Sequence, residues 1–359
     1  MSRAREIADL GSPAESGLSN RNFVINGGMQ IWQRATAATA AVNGTYNTID
    51  RFAFGENTDG AYTSEQSTDT PTGTGNSLKL QVTTADTSLS AAQYAYVYQA
   101  IEGQNLQSLQ YGTSSAKSLT LSFWVKSNKT GTYTASIYKT DSTVYHFTQE
   151  YTISSANTWE KKIITITPTA GSTSFITASG GAINNDNGMS MTVNFNLAWG
   201  SDFTGGTSGS WSSNGSHYTT TNAVNWMDST SNNFYLAQVQ LEIGDVATAF
   251  EHEDIETTLV KCQRYHQIID YYFDSGTTTS ATNISYYRPF IFPVTMRAAP
   301  TMVATGYGSN TGNAITRTTS TQTNGWIMQG STTNSAYMRG NHSNLYNMMY
   351  GRGSFSAEL

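Results

Sequence analysis

The chain has 359 residues, 19 Lys and Arg against 25 Asp and Glu, and a net charge of −6, so it carries no electrostatic footprint for nucleic acid and is long enough for two cores. Charged residues make up only 12%, against roughly 25% in typical soluble proteins, and no stretch approaches the ~18 apolar residues of a membrane span. Its polarity is therefore neutral, and 21 Tyr with 7 Trp suit either uncharged, hydroxyl-rich ligands such as sugars or simply β-strands.

In chain order, residues 2–10 read as a short helix with Ser2 as N-cap, closed by Gly11 and Pro13. The segment lacks the apolar region of a secretory signal. A helix this short orders only against a partner or frays, and its anchoring candidates are Arg3, Arg5, Ile7 and Leu10.

From Phe23 the period changes to two. "MTVNFNLAW" sets Met191, Val193, Phe195, Leu197 and Trp199 on one face and Thr192, Asn194 and Asn196 on the other, as in a half-buried antiparallel strand. The same alternation groups Leu119, Leu121, Phe123 and Val125; Leu78, Leu80 and Val82; and Tyr94, Tyr96 and Tyr98. "FYLAQVQLEI" closes the series with Tyr235, Ala237, Val239, Leu241 and Ile243 as its apolar face. Strands split by Gly, Ser, Thr and Asn, without intervening helices, predict a two-sheet sandwich.

A helix follows, with Asp254 as N-cap. Ile255, Leu259, Cys262, His266 and Ile269 form a narrow stripe that either docks on a core or meets copies of itself on an axis. The lone cysteine, Cys262, sits on this stripe and reads as a buried structural thiol. Strands resume in "YYRPFIFPVTM", "PTMVATGYG", "GWIMQG" and "SFSAEL", a second β-domain whose thin core predicts completion by oligomerisation.

Two regions compete as binding sites. The long Gly/Ser-rich stretch from Trp199 to Trp226 carries Trp211, Tyr218 and Trp226, whose flat rings either stack on sugars or pin the loop to the sandwich. The polar C-terminal loops carry Tyr337, Tyr346 and Tyr350. The five histidines are scattered and no pair has zinc-site spacing, so neither metal nor cofactor is expected, although loop oxygens in a jelly roll are compatible with structural calcium. No repeat of solenoid length supports a depolymerase, and no two carboxylates can be paired from sequence, so the chain reads as a binder and not an enzyme.

Four stretches taken together, "MSRAREIADLGS", "NRNFVINGGMQIWQR" with "YNTIDRFAF", "AQVQLEIGDVATAFEHEDIETTLVKCQRYHQ" and "FPVTMRAAPTM" with "SFSAEL", resemble phage tail fibre and related virion appendage proteins. The resemblance implies an all-β chain: a virion-anchoring peptide over 1–19, a carbohydrate-binding-module-like antiparallel jelly-roll sandwich over 20–252, a connecting helix over 253–273, and a smaller C-terminal β-sandwich tip over 274–359. It further implies a homotrimer on the virion surface, held to a tail or other virion protein through its N-terminus and binding host-surface glycan, with no nucleic acid and no membrane insertion. A head fibre or capsid decoration protein, and a glycan-cleaving tailspike, are the alternatives.

Overall fold

The computed structural model describes residues 20–38, 44–274, 284–305, 315–316, 327–342 and 348–359. The expected N-terminal anchor helix, with Arg3, Arg5, Ile7 and Leu10, lies outside them. The chain divides into two compact units, Met1–Ile255 with Leu359, and Glu256–Glu358.

The first unit's strands are β1 (Ala37–Ala38), β2 (Ala53–Glu56), β3 (Ala61–Ser67), β4 (Ser77–Thr84), β5 (Tyr94–Glu102), β6 (Leu119–Ser127), β7 (Gly131–Lys139), β8 (Tyr145–Ile153), β9 (Glu160–Ile166), β10 (Met189–Trp199), β11 (Ser210–Ser212) and β12 (Asn233–Ile243). They form two antiparallel sheets, β1-β3-β4-β12-β6-β9 and β11-β8-β7-β10-β5-β2, packed as a jelly-roll sandwich. Alternation explains the inner faces. Leu119, Leu121, Phe123 and Val125 of one sheet and Met191, Val193, Phe195 and Leu197 of the other share a single buried core, with Phe123 set edge-on to Phe195 at 5.0 Å.

The first and last segments of this unit interlock. Asn22 Oδ1 accepts from the Leu241 amide at 3.0 Å while its Nδ2 donates to Val239 O at 2.9 Å, and Glu251 Oε2 accepts from the amides of Arg21 and Asn22. Gly27 lies so close to β12 that a Cβ there would meet Val239 O at 2.0 Å. The motifs "NRNFVINGG" and "VQLEIG" are thus two halves of one clasp.

Three sequence expectations are corrected here. Ala237 and Gln240 of β12 are separated by a register shift, with Gln238 at φ 48, so the apolar parity changes along the strand. Phe234 and Leu236 enter the core before the bulge and Val239 and Leu241 after it, while Tyr235 lies on the opposite face beneath Lys126, whose Nζ stands 4.2 Å from the ring centroid. In β5 the inward residues are Ala95, Val97 and Ile101, and the three tyrosines point out. On β10, Thr192, Asn194 and Asn196 do not face solvent: all are buried, because the chain after Trp199 returns across that face.

The second unit begins with helix α1 (Ile255–Gln263), which buries Thr258 and Cys262. The expected helix over 253–273 stops at Gln263, and His266 and Ile269 belong to β13 (His266–Asp274). The reason lies in "HQIIDYYFD", whose β-branched and aromatic residues favour a strand, and which pairs along its whole length with the strand at Met348–Ser356. The remaining strands are β14 (Ile284–Ile291), β15 (Thr301–Thr305), β16 (Ile315–Thr316), β17 (Ile327–Ser331), β18 (Ser335–His342) and β19 (Met348–Ser356). One sheet runs β13-β19-β15 with β16 also on β19, and the other runs β14-β18-β17. Phe290 stacks on Phe355 at 5.8 Å, and Phe292, Met296, Ala336, Phe355 and Ala357 form the buried cluster. Arg297 closes it by donating to the carbonyls of Ala357 and Glu358 at 2.7 and 2.8 Å.

Candidate functional site

The outer face of the second jelly-roll sheet carries an aromatic platform. Tyr94, Tyr96 and Tyr98 follow one another at every second position of β5 and are all half-buried. Tyr96 stacks on Tyr98 at 5.3 Å with 26° between planes and meets Tyr94 edge-on at 5.7 Å. Next to β5, a register shift between Asn196 and Ala198 of β10 brings Trp199 opposite Tyr94, so its indole joins the same face at 4.9 Å from Tyr96 and 5.3 Å from Tyr94.

The chain after Trp199 is strapped to this face. Tyr218 stacks on Trp199 at 4.5 Å and 15°, and its ring reaches His146 at 4.2 Å and Tyr138 at 5.8 Å. The polar row beneath holds the strap in place. Asn196 Nδ2 donates to Tyr218 O at 2.8 Å, Thr148 Oγ1 to His217 O at 2.6 Å, and Thr134 Oγ1 to Thr219 Oγ1 at 2.8 Å. Asn194 Nδ2 reaches Ser136 Oγ at 3.2 Å, and Trp199 Nε1 donates to Asn196 Oδ1 at 3.1 Å. At the edge, Glu150 Oε1 accepts from Thr220 and Asn222 at 2.5 and 3.0 Å. These polar side chains are therefore spent inside the protein, and the half-buried tyrosine rings are what the face offers to a ligand.

The electrostatics suit a neutral ligand. Burial, with neighbouring phenols adding to it, pushes the hydroxyls of Tyr96 and Tyr218 well above the ordinary tyrosine range. They stay protonated at any physiological pH, each able to donate and to accept. Burial likewise lowers His146 to about 4, opposed by its hydrogen bond to Asn214 O and assisted by His217. The platform thus combines flat apolar faces with uncharged hydroxyls.

Of the sequence-predicted site residues in the first unit, Tyr218 reaches this platform. Trp211 is 2% exposed; its Nε1 donates to Thr167 O at 2.9 Å and its ring packs on Phe147 and Tyr111. Trp226 is fully buried, with Nε1 donating to Asn233 O at 3.1 Å and its ring edge-on to Tyr62. Neither presents a face to solvent, so both are corrected from ligand contacts to core residues that pin the long loop. The backbones of Tyr337 and Tyr350 lie in β18 and β19, paired with Pro289 and Tyr272, and Tyr346 lies outside the described residues. Tyr94, Tyr96 and Tyr98 were missed as a site because alternation assigns two faces without saying which is inner.

Among the described residues no three His, Cys, Asp or Glu side chains cluster as a metal site. Lys139 is fully buried, and its Nζ donates to the carbonyls of Asp141, Thr143 and Gly180. Its ammonium ties the β7–β8 turn to the segment around Gly180.

No protein-family model matches the chain, and no curated protein sequence matches it significantly. Among solved structures, the bacteriophage CBA120 tailspike protein 4 enzymatically active domain is 14% identical over 62% of this chain and 22% of that one, with a TM-score of 0.30. A family 11 carbohydrate-binding module of a cellulosomal cellulase of Clostridium thermocellum is 14% identical over 61% of this chain and 100% of that one, with a TM-score of 0.29. The xylan-binding domain of a Paenibacillus barcinonensis protein is 10% identical over 59% and 94%, with a TM-score of 0.25. Superpositions of that quality fix neither fold nor ligand, and the jelly-roll architecture rests on the strand order itself.

Proposed function

We propose that the chain is a virion appendage of the phage tail-fibre kind that binds a neutral host-surface glycan through the tyrosine face of its jelly roll. The observation that carries the binding reading is the row of half-buried rings Tyr94, Tyr96 and Tyr98, backed by the buried Trp199 and by Tyr218 on a rigid sheet. Sugars present apolar C–H faces and hydroxyl rims, which such rings match by stacking and hydrogen bonding. Binding without cleavage is part of the proposal.

The fibre reading, with N-terminal attachment to another virion protein and exposure on the particle, is supported by the ordered set of sequence stretches given above. Trimerisation is supported by the second unit, whose buried cluster among the described residues is small and which leaves Ile291 78% and Val303 64% exposed. Three copies on one axis would add avidity without new contacts.

The test is host-polysaccharide binding by the full-length chain and its Tyr96→Ala variant. The expected result is about tenfold weaker binding with an unfolding midpoint close to the parent's. Equal affinity would remove the tyrosine face from the reading. Reducing-sugar release from the same polysaccharide would turn the protein into a cleaving tailspike, and density on the capsid in a virion map would make it a head fibre.

A further inference from the structure

A second, separate recess lies beside the 3-10 helix Gly103–Leu109 that follows β5. It is a pocket of ≈ 470 Å³, within the range of roughly 300–1,000 Å³ typical of small-molecule sites. Leu106, Tyr111 and Ile183 supply apolar surface, and Gln107, Gln110 and Thr113 supply amides and a hydroxyl. No charged side chain lines it.

Its walls are fixed. Gln107 Nε2 donates to Gly103 O at 2.8 Å and to Asn184 O at 3.0 Å, which ties the helix to the opposite wall. Gly112 donates to Ile176 O at 2.8 Å and has φ +90, and a Cβ there would strike Ala182 at 2.7 Å, so the two segments touch through bare backbone. Gln110, at φ 53, occupies the left-handed region that most residues avoid, and Thr113 Oγ1 donates to its carbonyl at 2.8 Å. Tyr111 is braced from behind by the buried indole of Trp211, and its buried hydroxyl makes no hydrogen bond among the described residues.

We infer that this pocket binds one uncharged sugar unit. The Gln110 amide can donate and accept, and Gln107 Oε1 and Thr113 Oγ1, whose hydrogens go to main-chain carbonyls, can accept from sugar hydroxyls, whereas a carboxylated or phosphorylated ligand would find no cation in the lining. The apolar trio suits the C–H face of the ring. The inference stands on the pocket's own lining, independently of the tyrosine row.

The test is a titration of the full-length chain, labelled at isoleucine δ1-methyls, with methyl glucoside, methyl galactoside and methyl mannoside. The Ile183 methyl is expected to shift saturably with at least one of them, while Ile163, exposed on the other sheet, stays in place. Gln110→Asn, which keeps a residue tolerant of positive φ, should weaken that response about tenfold, and Thr113→Val should weaken it as well. No shift at Ile183 with any of the three, equal shifts at Ile163 and Ile183, or unchanged affinity in both variants would each overturn the assignment. Failure here leaves the polysaccharide test of Tyr96 intact, and the reverse holds.

Discussion

Gly55 and Tyr96 are cross-strand partners, and a Cβ built on Gly55 would lie 1.9 Å from Tyr96 Cε1: the ring lies flat on the bare backbone of its neighbour. That contact sets the height of the middle ring in the platform. Gly55→Val should lift the ring off β2 and spoil its stack on Tyr98, costing about 1–3 kcal/mol of stability by overpacking. Polysaccharide affinity should fall about tenfold alongside. Urea unfolding and a binding isotherm on the same sample check both; a variant that binds normally would mean the ring's position is not what the ligand reads.

The two buried indoles should behave oppositely to the tyrosines. Trp226→Ala removes a fully buried ring from the core and is expected to cost about 3–5 kcal/mol, and Trp211→Ala a similar amount. The measurement is the denaturant midpoint at unchanged slope. If either substitution were neutral for stability but abolished glycan binding, the corrected assignment of that residue to the core would itself be wrong.

Much of the sandwich could be read from sequence because Leu119, Leu121, Phe123 and Val125 keep strict alternation and all enter the core. Reading failed where one local event changed parity. The bulge at Gln238 moved Tyr235 to the outer face, a change that period-two counting carries straight past. In β5 both alternating sets, the tyrosines and Ala95 with Val97, are compatible with burial, and only packing against the opposite sheet decides. The polar row Thr192, Asn194 and Asn196 looked solvated because nothing local shows that Thr192 and Asn194 pair with each other and with Ser136 of β7, or that a loop more than twenty residues later in the chain gives Asn196 the carbonyl of Tyr218. The helix boundary failed for a related reason: His266 and Ile269 extend a helical stripe, but long-range pairing with β19 takes them.

Lys139 makes a stability prediction of its own. Its buried ammonium satisfies three main-chain carbonyls from two segments, so Lys139→Met leaves those acceptors without their charged donor. The loss should be at least about 3 kcal/mol, given about 1.5–3 kcal/mol for each hydrogen bond to a charged group. Hydrogen exchange should quicken first around Thr143 and Gly180, the segments it joins. A small loss spread evenly over the sandwich would argue against the tie.

His146 gives the protein a defined acid sensitivity. Its ring is fully buried between Tyr138, at 4.4 Å, and Tyr218, at 4.2 Å, and burial holds it neutral down to about pH 4, against about 6.5 in an unfolded chain. Between those values the unfolded state binds a proton that the folded state does not. Stability is therefore full above about pH 6.5 and falls as the pH drops towards 4, by up to about 3 kcal/mol. The facing groups do not offset this: Tyr138 packs its ring on the imidazole, the Tyr218 hydroxyl carries no charge there, and His217 opposes a second positive charge. His146→Phe keeps a ring between the two tyrosines and removes the titration. It should flatten the decline in unfolding midpoint between pH 6.5 and 4 relative to the parent, whereas carboxylates titrating elsewhere contribute equally to both chains. Parallel pH profiles for the two proteins would show that His146 is protonated in the fold, and that the strap carrying Tyr218 accommodates its charge.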